Sequence, residues 1–171
     1  MKIKLHQLDE EISKFDFQLA RKDLLKLERR FSFDSMVCSA ELALKRDAIQ
    51  LHGTYVVEIE TSCDICLEPV SIKLDQEFDL ILIDEASYQE PESDFEISTQ
   101  SEDVDFYRGQ DILLSEHFED QLLLDLPFSI KCSENCRGIC PNCGVNRNVE
   151  SCQCSDNRGN SPFSILGDLK G

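Results

Sequence analysis

Six of the chain's nine cysteines fall within 23 residues, in the stretch CSENCRGICPNCGVNRNVESCQC from Cys132 to Cys154. Two more form the pair Cys63-Asp64-Ile65-Cys66, and Cys38 stands alone. Thiols this dense point to metal or redox chemistry in a reducing compartment and to disulfides outside one. An odd count of nine fits a complete disulfide framework poorly. The spacing favours metal. A C-x-x-C turn puts two sulfurs on one side of a tight knuckle, close enough to share an ion, and tetrahedral thiolate sites suit zinc. A redox C-x-x-C would open a helix after a strand, where the helix dipole lowers the thiol pKa. Here Leu67-Glu68-Pro69 follows, a poor helix start.

Cys140-Pro141-Asn142-Cys143-Gly144 reads as a second knuckle. Proline fixes the entry, and glycine permits the positive φ that turns amide N–H groups toward sulfur. Cys152 and Cys154 can add two thiolates if the chain turns there, since on a straight strand they would face opposite ways. Cys132 and Cys136 are spaced for one helical turn. Six local sulfurs are too many for one tetrahedral site and too few for two. With Cys63 and Cys66 they make eight, enough for two four-thiolate sites. The favoured pairing is Cys63, Cys66, Cys132 and Cys136 for one ion and Cys140, Cys143, Cys152 and Cys154 for the other. A crossed pairing, with Cys63 and Cys66 joined to Cys140 and Cys143, stays open at this level. So does iron in place of zinc, because four thiolates suit both. Two zinc sites would move the formal charge from −17 to about −21. Arg137, Arg147 and Arg158 lie close enough in sequence to offset that field. Cys38 sits in an alternating segment and reads as a small core residue.

The elements that must hold these sulfurs follow from periodicity. KIKLH at 2–6 can open with a strand. Residues 16–31 predict a helix, with Phe17, Leu24, Leu25 and Leu27 as a rough stripe and Asp16 as N-cap. Cys38, Ala40, Leu42 and Leu44 alternate. Ile49 and Leu51, then Tyr55, Val57 and Ile59, alternate about Gly53, which reads as a bulge or kink. Val70, Ile72 and Leu74, then Phe78, Leu80 and Leu82, continue the pattern. Short connections predict an antiparallel meander. Ile112, Leu113, Phe118, Leu122 and Leu123 predict a helix capped by Asp111 and stopped by Pro127. The expected fold is α+β: an antiparallel β meander or partly open barrel, one or two helices, and a zinc-knuckle C-terminal segment. The division expected is a core over 1–131, and a cysteine-rich segment over 132–171 with an apolar tail (Phe163, Ile165, Leu166, Leu169) packed back on the core.

Charge narrows the partners. The chain carries 34 acids against 17 bases. Residues 75–105 hold 12 acids and no Lys or Arg, while residues 1–30 are net +2 and residues 131–160 net +1. So acidic a chain is repelled by nucleic acid as a whole and attracted to basic protein. Residues 84–106 predict a mobile acidic loop. Its acids Asp84, Glu85, Glu90, Glu92, Asp94, Glu96, Glu102, Asp103 and Asp105 are the candidate contacts for a basic partner. RNA contact would need the local basic faces, and no RNA-binding residue is assigned. No run of 18 apolar residues suggests a membrane span, and the N-terminus lacks a secretory pattern, so a cytoplasmic protein is expected.

Enzyme chemistry finds little support. There is no Walker loop, dinucleotide loop or H-E-x-x-H. His6, His52 and His117 are scattered, and eight thiols are committed to sites with no evident open position.

These residues carry a resemblance. SCDICLEPV resembles the C-x-R-C-L-x-P turn of the YceD family, the large ribosomal RNA subunit accumulation proteins, with Ile65 where the family has arginine. LLLDLPFSIKCSENCRGICPNCGVNRNVESCQC resembles the family's cysteine block, with Arg137, Gly138, Asn146 and Asn148 in or near family positions. NSPFSILGDLK resembles its N-P-F tail, with Ser161 inserted. The resemblance implies a bacterial, non-catalytic role in accumulating or processing large-subunit ribosomal RNA. It implies a large-subunit ribosomal protein or pre-ribosomal particle as partner. Direct ribosomal RNA binding and a redox-sensing zinc chaperone are the alternatives.

Overall fold

The computed structural model describes residues 1–8, 12–45, 48–86 and 103–154. The chain folds as two compact units, Met1–Thr61 with Val70–Phe128, and Ser62–Pro69 with Ser129–Gly171. The turn at 62–69, which a sequence division at residue 131 leaves with the core, therefore groups with the cysteine-rich segment.

The first unit is built on a five-stranded sheet in the order β2 (Ser13–Leu19), β3 (Met36–Lys45), β4 (Ala48–Ser62), β5 (Pro69–Asp84), β6 (Val104–Tyr107). Within this sheet consecutive strands are neighbours, as the short connections implied, but its last pair departs from the antiparallel meander expected. β2 pairs antiparallel with β3, and β3 with β4, while β6 returns parallel to β5. A two-stranded sheet pairs β1 (Lys2–Lys4) with β7 (Asp111–Leu113). Among the described residues one α-helix, α1 (Leu114–Asp125), follows β7.

Burial follows the period-two pattern. Cys38, Ala40 and Leu42 on β3 and Ile49, Leu51, Tyr55, Val57 and Ile59 on β4 are all buried. On α1, Leu114, Phe118 and Leu122 are buried at i, i+4 and i+8 spacing. The Phe118 ring meets three others edge-on, with centroids 5.2 Å from Phe17, 6.4 Å from Tyr55 and 4.9 Å from Phe78. Such T-shaped contacts suit the ring quadrupoles. The helix ends at Asp125, and Leu126 is extended (φ −66°, ψ 131°), as a residue before proline must be.

Three expectations are corrected. Residues 16–31 do not form the expected helix; β2 runs to Leu19 and only a single 3-10 turn, Arg21–Asp23, follows. Phe15, Phe17 and Leu19 alternate, and Phe17 stands opposite Cys38 in the β2–β3 register. Cross-strand pairing overrides the weak helical stripe. The chain then loops around the Arg21 guanidinium, which donates to the carbonyls of Phe31, Leu24, Leu27 and Glu28 at 3.0, 2.9, 2.6 and 3.1 Å. The buried Glu119 carboxylate accepts from the Lys26 and Leu27 amides at 2.5 and 3.0 Å, which fixes that loop. Gly53 is neither bulge nor kink: it pairs in register with Ala40. A Cβ there would lie 2.2 Å from Phe78 Cζ, so the glycine admits the ring that packs on Phe118. Asp111 does not cap α1. It lies in β7 and pairs with Lys2 at 2.7 Å, and the helix starts three residues later.

The described ends of the acidic segment reach into strands. Asp84 closes β5, and Val104, Asp105 and Phe106 belong to β6, so these positions are strand and not loop. Asp105 accepts from His117 Nδ1 at 2.6 Å, and Glu85 pairs with Arg108. Glu90, Glu92, Asp94, Glu96 and Glu102 lie outside the described residues, as do Arg158 and the apolar tail. None of the helices among the described residues is long and apolar enough to cross a membrane.

Candidate metal centres

Two knuckles with one shared hydrogen-bond pattern lie in the second unit. In the first, the Cys63 amide donates to the Glu68 carbonyl at 2.8 Å and the Leu67 amide to the Cys63 carbonyl at 3.0 Å. In the second, the Cys140 amide donates to the Val145 carbonyl at 2.8 Å and the Gly144 amide to the Cys140 carbonyl at 2.8 Å. Each turn needs a left-handed residue just after its second cysteine. Gly144 supplies it at φ 74°, as its place in the sequence implied. In the first knuckle Leu67 takes the same role at φ 63°, a conformation that costs a side-chain-bearing residue roughly 1–2 kcal/mol. The turns aim backbone donors at sulfur: the Ile65 and Cys66 amides lie 3.4 and 3.5 Å from Cys63 Sγ.

Further bonds bring the distant pairs together. The Asp64 amide donates to the Ile130 carbonyl at 2.8 Å, and the Ile130 amide to Asp64 Oδ2 at 2.7 Å. This double link delivers the chain to Cys132. The Cys136 amide then closes on the Ser133 carbonyl at 3.2 Å; residues 132–136 make a turn and not the helical turn that their spacing suggested. The Ile139 amide donates to the Ile65 carbonyl at 3.2 Å, joining the second knuckle's entry arm to the first knuckle.

The result is two sets of four sulfurs, Cys63, Cys66, Cys132 and Cys136, and Cys140, Cys143, Cys152 and Cys154, with the sulfurs of each set within 4.8 Å of one another. The crossed pairing is not formed. All are free thiols. Cys63 and Cys136 Sγ are 3.8 Å apart, and Cys66 and Cys132 Sγ 3.4 Å. A disulfide would need about 2.05 Å. A metal ion bound tetrahedrally at about 2.3 Å from each sulfur sets them about 3.8 Å apart. Cys38, buried on β3, takes no part.

The thiol electrostatics also fit a cation. For Cys63, burial raises the pKa, but the amides of Cys66 and Ile65 outweigh it and bring the thiol down to about 6. The Cys143 and Asn142 amides bring Cys140 down to about 6. Their neighbours go the other way. At Cys66 the Glu68 amide stabilises the thiolate, yet burial and the adjacent sulfurs of Cys132, Cys63 and Cys136 push it up to about 12. Cys143 above all pushes Cys154 up to about 12. Each set thus favours a first thiolate and resists the last, a conflict that a bound cation removes.

Outer contacts escaped a reading based on cysteine spacing. Asn148 Nδ2 donates to Cys136 Sγ at 3.3 Å, and Asn148 Oδ1 accepts from the Arg137 amide at 2.7 Å. The Arg147 guanidinium donates to Cys140 Sγ at 3.7 Å. Asn146 Nδ2 donates to Glu68 Oε1 at 2.9 Å, and Asn146 Oδ1 accepts from the Asn148 amide at 2.9 Å. The motif marked Asn146 and Asn148 by position without saying what they touch.

The family model for the large ribosomal RNA subunit accumulation protein YceD matches residues 51–170, which includes both four-sulfur sets. The chain belongs to the YceD family. Curated relatives are distant. It is 25% identical over 141 residues to the chloroplastic YCED homolog 1 of Zea mays, covering 70% of this chain and 48% of the relative. For the Arabidopsis thaliana counterpart the figures are 24% over 153 residues, 77% and 47%. An uncharacterized Mycobacterium tuberculosis protein is 29% identical over 99 residues, 58% of this chain and 45% of the relative. The chain thus spans about half the length of these curated relatives. No solved structure matches it.

Proposed function

We propose that this YceD-family chain is a non-catalytic, zinc-stabilised factor for building the large ribosomal subunit. On this reading it supports accumulation or processing of large-subunit ribosomal RNA by binding a basic ribosomal protein or the pre-ribosomal particle. The observation that carries it is the pair of complete four-sulfur sets in a family described by large ribosomal RNA subunit accumulation. Four protein ligands fill a tetrahedral shell, whereas catalytic zinc keeps a position open. Cys63, Cys66, Cys132 and Cys136 would hold one ion, and Cys140, Cys143, Cys152 and Cys154 the other. Zinc supplies folding energy and a rigid surface there, and no redox step of its own.

A basic protein partner is supported by the net charge of −17. A cytoplasmic location is supported by the nine cysteines, none of them in a disulfide, a state that a reducing compartment preserves. Two measurements test the reading. Native mass spectrometry and metal analysis of protein purified without added metal should give two zinc ions per chain. Depletion in cells should lower large-subunit particles and their RNA relative to small subunits on a sucrose gradient. A normal subunit profile after depletion defeats the assignment.

A further inference from the structure

Neighbouring residues Arg147 and Asn148 each contact a different sulfur set. The second knuckle's arms form a short antiparallel pair: Ile139 bridges Asn146, and the Arg147 amide donates to the Gly138 carbonyl at 2.8 Å. Beyond that pair, consecutive side chains reach opposite sites. Arg147 donates to Cys140 Sγ, a sulfur of the 140/143/152/154 set. Asn148 donates to Cys136 Sγ, a sulfur of the 63/66/132/136 set. The Asn148 side chain is itself held, because its Oδ1 accepts from the Arg137 amide. Its backbone is held too, because its amide donates to Asn146 Oδ1 while Asn146 Nδ2 donates to Glu68 Oε1, on the residue two beyond Cys66.

We infer that Asn148 is a positioning residue coupling the two metal centres, so that an ion in the 140/143/152/154 site raises the affinity of the 63/66/132/136 site. The physical path is short. An ion on Cys140 and Cys143 fixes the knuckle whose arms set the place of residues 146–148. That places the Asn148 amide group against Cys136, where it disperses thiolate charge and orients the ligand. Outer donors of this kind typically change metal affinity by about 10–100-fold. Coupling is reciprocal by thermodynamic necessity and typically amounts to about 5–150-fold. The inference rests on the metal reading proposed above.

The test is a cobalt(II) titration of the full chain, read by thiolate-to-cobalt charge-transfer absorption against a competing chelator. Cys140→Ser with Cys143→Ser empties the second site, and the first site's cobalt affinity then falls about tenfold. With the second site intact, Asn148→Ala lowers first-site affinity by about 10–100-fold. In the emptied background the same substitution costs severalfold at most. Asn148→Asp keeps the oxygen that receives the Arg137 amide and removes the donor, and it should be at least as damaging as Asn148→Ala. Far-UV circular dichroism shows that each variant is folded, and where the second site is intact one cobalt retained there shows it as well. Equal losses from Asn148→Ala in both backgrounds overturn the coupling, and so does an Asn148→Asp variant that binds like the original. A chain with no charge-transfer band at all would instead sink the metal reading itself.

Discussion

Gly138 lies against Ile65 so closely that a Cβ on the glycine would stand 2.6 Å from Ile65 Cγ2 and 3.0 Å from the Ile65 carbonyl oxygen. Its φ of 69° is left-handed as well. The contact joins the second knuckle's arm to the first knuckle's turn, next to the Ile139 amide bond to the Ile65 carbonyl. Gly138→Ala therefore meets a backbone penalty of roughly 1–2 kcal/mol and a clash with Ile65 Cγ2, beside a tight contact with the Ile65 carbonyl oxygen. The expected outcome is faster loss of metal to chelator from the 63/66/132/136 site than in the original chain. Unchanged release would show that the arm is free to move.

Leu67 is the opposite case. It holds the left-handed position that Gly144 holds in the second knuckle, and its side chain is 62% exposed. Leu67→Gly relieves backbone strain while giving up little burial. Glycine's larger unfolded-state entropy offsets part of the gain. The net expectation is a stabilisation of about 0.5–1 kcal/mol, read as a raised denaturation midpoint at constant metal.

Removing the two ions should have unequal effects. Cys140→Ser with Cys143→Ser removes one ion and leaves the five-stranded sheet folded, because all four ligands of that site lie within residues 140–154. Cys63→Ser with Cys66→Ser removes the other ion and destabilises the protein more, because that site ties the β4–β5 turn to a segment 66 or more residues away. Closing longer loops constrains the unfolded chain more. Metal counts by native mass spectrometry and urea midpoints check both statements.

Cys38 should be silent in the folded protein. Burial pushes its thiol from 9.0 up to about 12, and it is 1% exposed. At pH 8 only about one molecule in 10⁴ carries the reactive thiolate. After chelation, eight thiols should react with a disulfide reagent, and the ninth only in denaturant. The sign for stability follows. The folded pKa lies above the unfolded one, so Cys38's contribution is intact below pH 9 and is lost as pH rises toward 12. The slope is about 1.4 kcal/mol per pH unit. Cys38→Ala should flatten alkaline unfolding over that window.

Two acids of the acidic segment have partners in the first unit. Glu85 is engaged by Arg108 and Asp105 by His117, so neutralising either one disturbs the first unit. Neutralising Glu90, Glu92, Asp94, Glu96 and Glu102 together should instead weaken binding to a basic large-subunit protein and flatten its salt dependence. Stability should change by less than about 0.5 kcal/mol. Binding as tight as that of the original chain would remove these acids from the interface.

Much of this protein was legible in its sequence, for reasons of local geometry. Alternation at odd positions from Ile49 to Ile59 marks β4, because side chains on a strand repeat every two residues. C-x-x-C followed by a turn marks each knuckle, because two sulfurs so close along the chain can face one ion only around a tight bend. The number of sulfurs alone implied two sites. Tertiary structure decided the rest. Spacing could not say which distant pair joins Cys63 and Cys66; the Asp64–Ile130 bonds did, by delivering Cys132 and Cys136. The segment after Asp16 has helical residues, yet β3 offers Phe17 a partner strand, and the Arg21 guanidinium gives the following carbonyls donors outside any helix. Gly53 looks like a break in a strand until Phe78 is seen to fill its place. Asn148 looks like a loop residue until Cys136 lies 3.3 Å from its amide. Each of these outcomes depends on a group far away in sequence, and local propensity carries no information about such a partner.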